Sequence, residues 1–160
     1  MIKLYLKDGK RVTHYHEAWA EENEIIEHWG RIGTEGRTRK HPKAPGVSEA
    51  TQLRRMLLDA RERGYKPIRA DRHKTLIIEY AVKGMGSVKD IEKRYALEEL
   101  MNGFLGWMGL GNCDGGSIGS GTMEVCCYVV DFDVAKKVIG RELRSTKFKN
   151  YTRIFDEGAG

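Results

Sequence analysis

Trp29-Gly30-Arg31-Ile32-Gly33-Thr34-Glu35-Gly36 is the stretch on which the reading of this chain turns. Side chains alternate along a strand, so an extended run ending in Trp29, Gly30 and Arg31 sets the indole and the guanidinium on one side of the pleat. Gly30 leaves the space between them without a side chain, and Gly33 and Gly36 bound a tight turn. Such a surface offers a ring for stacking beside a fork of donors for phosphate.

Upstream, Ile2, Leu4 and Leu6 alternate with Lys3, Tyr5 and Lys7 ahead of Asp8-Gly9, which predicts a half-buried strand and a hairpin turn. Further strands are predicted over residues 12–20 and 25–32, with the turn leading into a short basic fourth strand, so the sheet is expected to be a meander. His41-Pro42-Lys43-Ala44-Pro45-Gly46 ends that ladder, since proline cannot donate to it. Ser48 can cap a helix over about 49–63, where Ala50, Leu53, Leu57 and Ala60 form one apolar stripe. Gly64 then serves as a C-cap, and Pro67 forbids continuation.

Charge is distributed unevenly. Residues 1–73 carry 16 Lys+Arg and 11 Asp+Glu, whereas residues 74–160 carry 12 of each, so the net charge of +5 belongs to the first part. Arg31, Arg37, Arg39, Lys40 and Lys43 crowd the motif, opposed by an acidic block of Glu17, Glu21, Glu22, Glu24 and Glu27. A dipolar domain of this kind is a docking surface for a polyanion. Arg54, Arg55, Arg61 and Arg63 fall mostly off the helix stripe; they read as a solvated face or as an extension of the phosphate track.

Trp29-Gly30-Arg31-Ile32-Gly33, the second turn glycine at Gly36, and the amphipathic helix ending in Arg63-Gly64-Tyr65 together resemble the WGR domain. The resemblance covers roughly residues 1–70 and implies a twisted antiparallel sheet crossed by one helix, with a role in nucleic-acid binding. WGR domains are best known beside the catalytic domains of poly(ADP-ribose) polymerases, where the motif region lies against a DNA strand end, and they occur in small bacterial proteins. By that resemblance Trp29 would meet a terminal sugar or base and Arg31 a phosphate or a domain-bridging contact. Nothing after residue 70 resembles an ADP-ribosyltransferase, so a polymerase activity does not carry over.

Residues 66–74 are polar and read as a linker, with a second domain over 75–160. There the pattern predicts strand 76–82, helix 87–105, a glycine-rich extended stretch, strand 122–130, helix 133–143 and strand 151–155, in the order β-α-β-β-α-β. The economical architecture is ferredoxin-like, its first and third strands central and both helices on one face. The fold class is therefore α+β. Parity puts Leu76, Ile78, Tyr80 and Val82, with Met123, Val125, Cys127 and Val129, toward the helices, and leaves Glu79 and Glu124 on an open face that would repel phosphates. Dimerisation, regulation or docking suits that face better than RNA readout.

The segment 109–121 holds six glycines around Asp114. It reads as a bulged hairpin strand at a sheet edge, with a small-ligand site at Asp114, Gly115 and Gly116 as the alternative; it matches neither a P-loop nor a dinucleotide fingerprint. Cys113 in that loop and the adjacent Cys126 and Cys127 are read as three thiols, and with no signal peptide or long apolar segment the expected compartment is the cytoplasm. His14, His16 and His28 raise a zinc reading that lacks a Cys-x-x-Cys, so no metal or cofactor is expected. Trp19 and Trp107 read as core aromatics.

The expected function is a small cytoplasmic nucleic-acid-binding protein, DNA rather than RNA, with contacts from Trp29, Arg31, Arg37, Arg39, Lys40 and Lys43. No nucleophile, base and orienting group stand at motif spacing, so no enzyme activity is expected. A homodimer is a further expectation for the second domain, and a membrane partner is not. A protein-interaction adaptor, or a regulator binding a small ligand through 109–121, is the alternative.

Overall fold

A computed structural model describes residues 1–159 and divides the chain into two compact units, residues 1–69 and 70–160. The class is α+β, with two four-stranded sheets whose pairings are all antiparallel.

In the first unit β1 (Ile2–Asp8), β2 (Arg11–Ala20), β3 (Glu24–Arg31) and β4 (Arg37–Pro42) pair in chain order, as the meander requires. Two short helices follow, α1 (Glu49–Met56) and α2 (Leu58–Glu62), where the apolar stripe predicts one continuous helix. Leu57 lies between them with φ −96° and ψ 9°, outside the helical well. This break keeps Leu53, Leu57 and Ala60 all in the core against Leu4, Ala18 and Ile25, while Ala50, expected on the stripe, is exposed. Ser48 Oγ accepts from the Thr51 amide at 3.3 Å and caps α1. The chain leaving α2 returns to the sheet, where Tyr5 and Lys66 exchange backbone hydrogen bonds of 2.8 and 2.9 Å along the outer edge of β1.

In the second unit β5 (Lys74–Ala81), α3 (Val88–Trp107), β6 (Gly111–Gly119), β7 (Thr122–Val129), α4 (Phe132–Leu143) and β8 (Arg153–Asp156) build a sheet of order β6-β7-β5-β8. Ser87 and Asp90 form a capping box at the start of α3, and Asp131 caps α4. Leu76, Ile78 and Tyr80 of β5 and Met123, Val125, Cys127 and Val129 of β7 are fully buried, as are Leu97 and Leu105 of α3 and Ile139 and Leu143 of α4. Both helices lie on that face: Lys93 of α3 sits 3.9 Å from the Tyr80 ring centroid, and the Tyr80 hydroxyl donates to the Phe148 carbonyl beyond α4 at 2.7 Å.

On the other face Glu79 and Glu124 are register partners, but Glu79 is not an open carboxylate. Arg153 of β8 grips it with two bonds of 3.0 and 2.8 Å, and Glu124 accepts from Ser117. The repulsion expected of this face is thus largely compensated within it. Trp107 is 42 % exposed and Trp19 half-buried, so neither is the core aromatic expected, because each falls at the end of its element, beyond the packed rows.

The glycine-rich segment is edge strand β6, irregular between Cys113 and Gly116. A Cβ on Gly111 would strike the Tyr128 carbonyl and one on Gly116 the Glu124 carbonyl, so glycine lets the strand approach β7 closely. The register sets Cys113 opposite Cys127, and the two form a disulfide, leaving Cys126 as the free thiol. Three thiols are therefore not present, and the thiol count ceases to argue for a reducing compartment. The pairing escapes a sequence reading that leaves Cys113 in a loop, since only strand register brings it to Cys127. Among the described residues no helix is long and apolar enough to cross a membrane.

Leu57→Ala should destabilise the first unit by about 2–5 kcal/mol, because it empties a fully buried site in a small core. Ala50→Ser, at an exposed position, should change stability by under about 0.5 kcal/mol. Urea denaturation of the two variants checks both values.

Candidate functional site

The eight-residue motif is shaped from behind by buried polar groups. Tyr15, Glu17 and His28 occupy the sheet face away from the helices. His28 Nδ1 meets Glu17 Oε1 at 2.9 Å, and Lys3 Nζ pairs with the other carboxylate oxygen at 2.9 Å. His28 Nε2 donates to the Glu35 carbonyl at 2.7 Å and the Tyr15 hydroxyl donates to the Thr34 carbonyl at 3.2 Å. Two successive carbonyls of the turn are thereby tied back onto the strands. The packing is close enough to demand glycine: a Cβ on Gly30 would lie 2.7 Å from the Gly36 Cα, and one on Gly36, where φ is +68°, would collide with the Tyr15 hydroxyl. Burial, with the Glu17 charge second, holds the Tyr15 phenol well above its ordinary pKa.

The opposite side of the same strands carries the candidate contacts. Trp29 is half-buried beside His16, its register partner on β2, with ring centroids 5.7 Å apart. His16 in turn meets the Tyr65 ring edge-on at 5.9 Å. Guanidiniums bracket this row of rings, with Arg39 5.5 Å from the Trp29 centroid and Arg63 5.7 Å from that of Tyr65. Arg31 and Arg37 are exposed; Arg37 pairs in register with Trp29, and Arg31 with His14.

Arg39 faces Glu27 across the β3–β4 ladder, yet the two form no ion pair. The Glu27 carboxylate is occupied by two imidazoles, His16 Nε2 at 2.8 Å and His41 Nε2 at 3.1 Å. Within the described residues Arg31, Arg37 and Arg39 have no carboxylate in ion-pair range. Three of the five acids expected to make the domain dipolar are instead spent locally, Glu17 on His28 and Lys3, Glu24 on Lys40, and Glu27 on the two histidines.

Other expected contacts are dispersed. Lys40 alternates onto the face opposite Arg37 and Arg39 and pairs with Glu24 at 2.9 Å, which raises its pKa. Lys43 donates to the Glu22 carbonyl at 3.0 Å and pairs with Glu49, joining the end of β4 to the start of α1. His16 and His28 lie on opposite faces, and among the described residues no group of three His, Cys, Asp or Glu side chains is arranged to hold a metal. At the β6 irregularity Asp114 is exposed, and the Gly115 amide points to Glu98 Oε1 at 3.5 Å. That amide therefore faces a carboxylate already present, and Gly116 packs on β7, so the three residues form no common cradle. The roles of His16 and Tyr65 escape the sequence reading, since His16 is set across from Trp29 by the β2–β3 register and Tyr65 is brought to the sheet by the Tyr5–Lys66 bridge.

Comparison with protein-family models, with curated proteins and with solved structures finds no match.

Gly36→Ala should destabilise the first unit and release the 33–36 turn, seen as faster amide exchange at Thr34 and Glu35. Alkaline pH should act on the same contacts. The folded Tyr15 value lies above the ordinary 10.0, so its contribution is full below about pH 10 and is lost as pH rises beyond that. Denaturant titrations at about pH 8 and pH 11 should show that loss, and Tyr15→Phe should make the difference smaller.

Proposed function

We propose that the first unit is a WGR-like nucleic-acid-binding module, and that the second is a ferredoxin-like β-α-β-β-α-β domain. The observation that carries the functional reading is the row Trp29, His16 and Tyr65 with Arg39 and Arg63 at its ends and Arg31 and Arg37 beside it. The half-buried rings of Trp29 and Tyr65, joined through the buried His16, suit stacking by unpaired bases or an exposed strand end, where base–aromatic contact contributes about 1–3 kcal/mol per base. Guanidiniums without an acid partner suit phosphates, which they engage through two parallel bonds. The ferredoxin-like reading is supported by the strand order, in which the domain's first and third strands are central and every pairing is antiparallel.

DNA with an available strand end is the proposed ligand. Arg31→Glu, Arg37→Glu and Arg39→Glu together should weaken binding about a hundredfold or more at moderate salt, and wild-type affinity should fall steeply as salt rises. Trp29→Ala should cost more on a single strand or a recessed end than on a blunt duplex, by about 1–3 kcal/mol. Fluorescence anisotropy with duplex, nicked and single-stranded oligonucleotides measures all three effects. Absence of any wild-type binding at low salt would overturn the proposal.

A further inference from the structure

A net charge of zero conceals a strong polarity within the second unit. Residues 134–155 contain seven Lys+Arg and a single acid, Glu142, while the acids of the unit lie elsewhere in its sequence. Folding brings two basic concavities together at Lys149. One, of about 470 Å³, runs between α3 and the chain beyond α4, with Lys89, Lys93, Lys147 and Lys149 around a floor of Ala96 and Phe148. Glu92 and Asn150 complete its lining. The other, of about 530 Å³, is lined along α4 by Lys136, Lys137, Arg141 and Arg144, and by Lys149 and Tyr151.

These cations are little compensated. Arg141 pairs with Glu142 at 2.7 Å; within the described residues Lys89, Lys136, Lys137, Arg144, Lys147 and Lys149 have no carboxylate in ion-pair range. Lys93 is held in place by the Tyr80 ring and by Asn150 Oδ1 at 3.3 Å, so its ammonium is presented with little freedom left to lose. Lys136 and Lys147 lie over Phe132 and Phe148 at 5.7 and 5.3 Å. A compact anion would fill one concavity. Two that share a lysine, with cations continuing along α4, match a ligand whose negative charges repeat along a chain.

We propose that the helix-covered side of the second unit is a second phosphate-contacting surface, taking the sugar-phosphate backbone of a nucleic acid along the Lys93–Lys149–Arg144 track. It rests on the reading that the ligand of this protein is a nucleic acid, but not on the ring row of the first unit. The carboxylates Glu79 and Glu124 occupy the other face of the sheet, so the contacting side is the one the helices cover.

The full-length chain tests this with a labelled oligonucleotide of about 20 nucleotides, single-stranded and duplex, titrated at several salt concentrations. Arg144→Glu, Lys147→Glu and Lys149→Glu together should lower affinity about tenfold or more, and reduce the salt slope by about two to three, roughly one for each phosphate no longer neutralised. Lys147→Gln with Lys149→Gln should shift both quantities the same way by less, and stands in if the charge reversals disturb folding. The two surfaces separate by combination: adding the second-unit changes to Arg31→Glu, Arg37→Glu and Arg39→Glu should weaken the residual binding further. If the first-unit variant keeps full affinity while the second-unit variant loses it, the ring-row reading fails and this one stands. Unchanged affinity and slope in the second-unit variants would overturn it. So would pyrophosphate binding that needs the same lysines without competing against the oligonucleotide, which would make the groove a small-anion site.

Discussion

The first unit depends on a close backbone approach. Gly30 and Gly36 touch where any side chain would collide, and the Tyr15 hydroxyl and His28 imidazole tie the Thr34 and Glu35 carbonyls over that contact. A turn left free would carry Trp29, Arg31 and Arg37 with it, because all three stand at its two edges. Buried hydrogen bonds to a charged partner are costly to leave half made, so Lys3, Glu17 and His28 act as a unit in holding the turn. The motif is thus a backbone device whose visible side chains sit on the far side of the sheet.

Carboxylate use decides which cations remain available. Glu27 stands opposite Arg39, and a simple cross-strand pair would have neutralised the guanidinium. Two imidazoles take both oxygens instead, and Arg39 turns to the Trp29 ring. Lys40 and Lys43, one and four residues after Arg39, spend their charge on Glu24 and Glu49 and serve the local fold. Counting charges along the chain cannot separate these cases; partner geometry can.

In the second unit the same principle runs in reverse. Its charges cancel in sum, yet six of the seven cations in residues 134–155 gather on the helix-covered side, and the seventh, Arg153, answers Glu79 on the other. The glycine-rich strand is similar: composition marks it as unusual, and the close approach of Gly111 and Gly116 to β7 explains the glycines without a ligand.

Periodicity and punctuation alone determined much of this protein: eight strands in their order, the cap at Ser48, the central position of β5 and β7, and the face on which Trp29 and Arg31 lie together. These are local or parity properties, carried by alternation and by side chains that bond to their own backbone. Tertiary structure decided the rest. It set His16 against Trp29 and Tyr65 against His16, broke the helix at Leu57, joined Cys113 to Cys127, and turned Lys40 away from Arg39 toward Glu24. Each of these depends on strand register or on helix docking, which is settled by the whole core at once. Alternation tells a residue which face it occupies, but not which residue from a distant part of the chain will face it there.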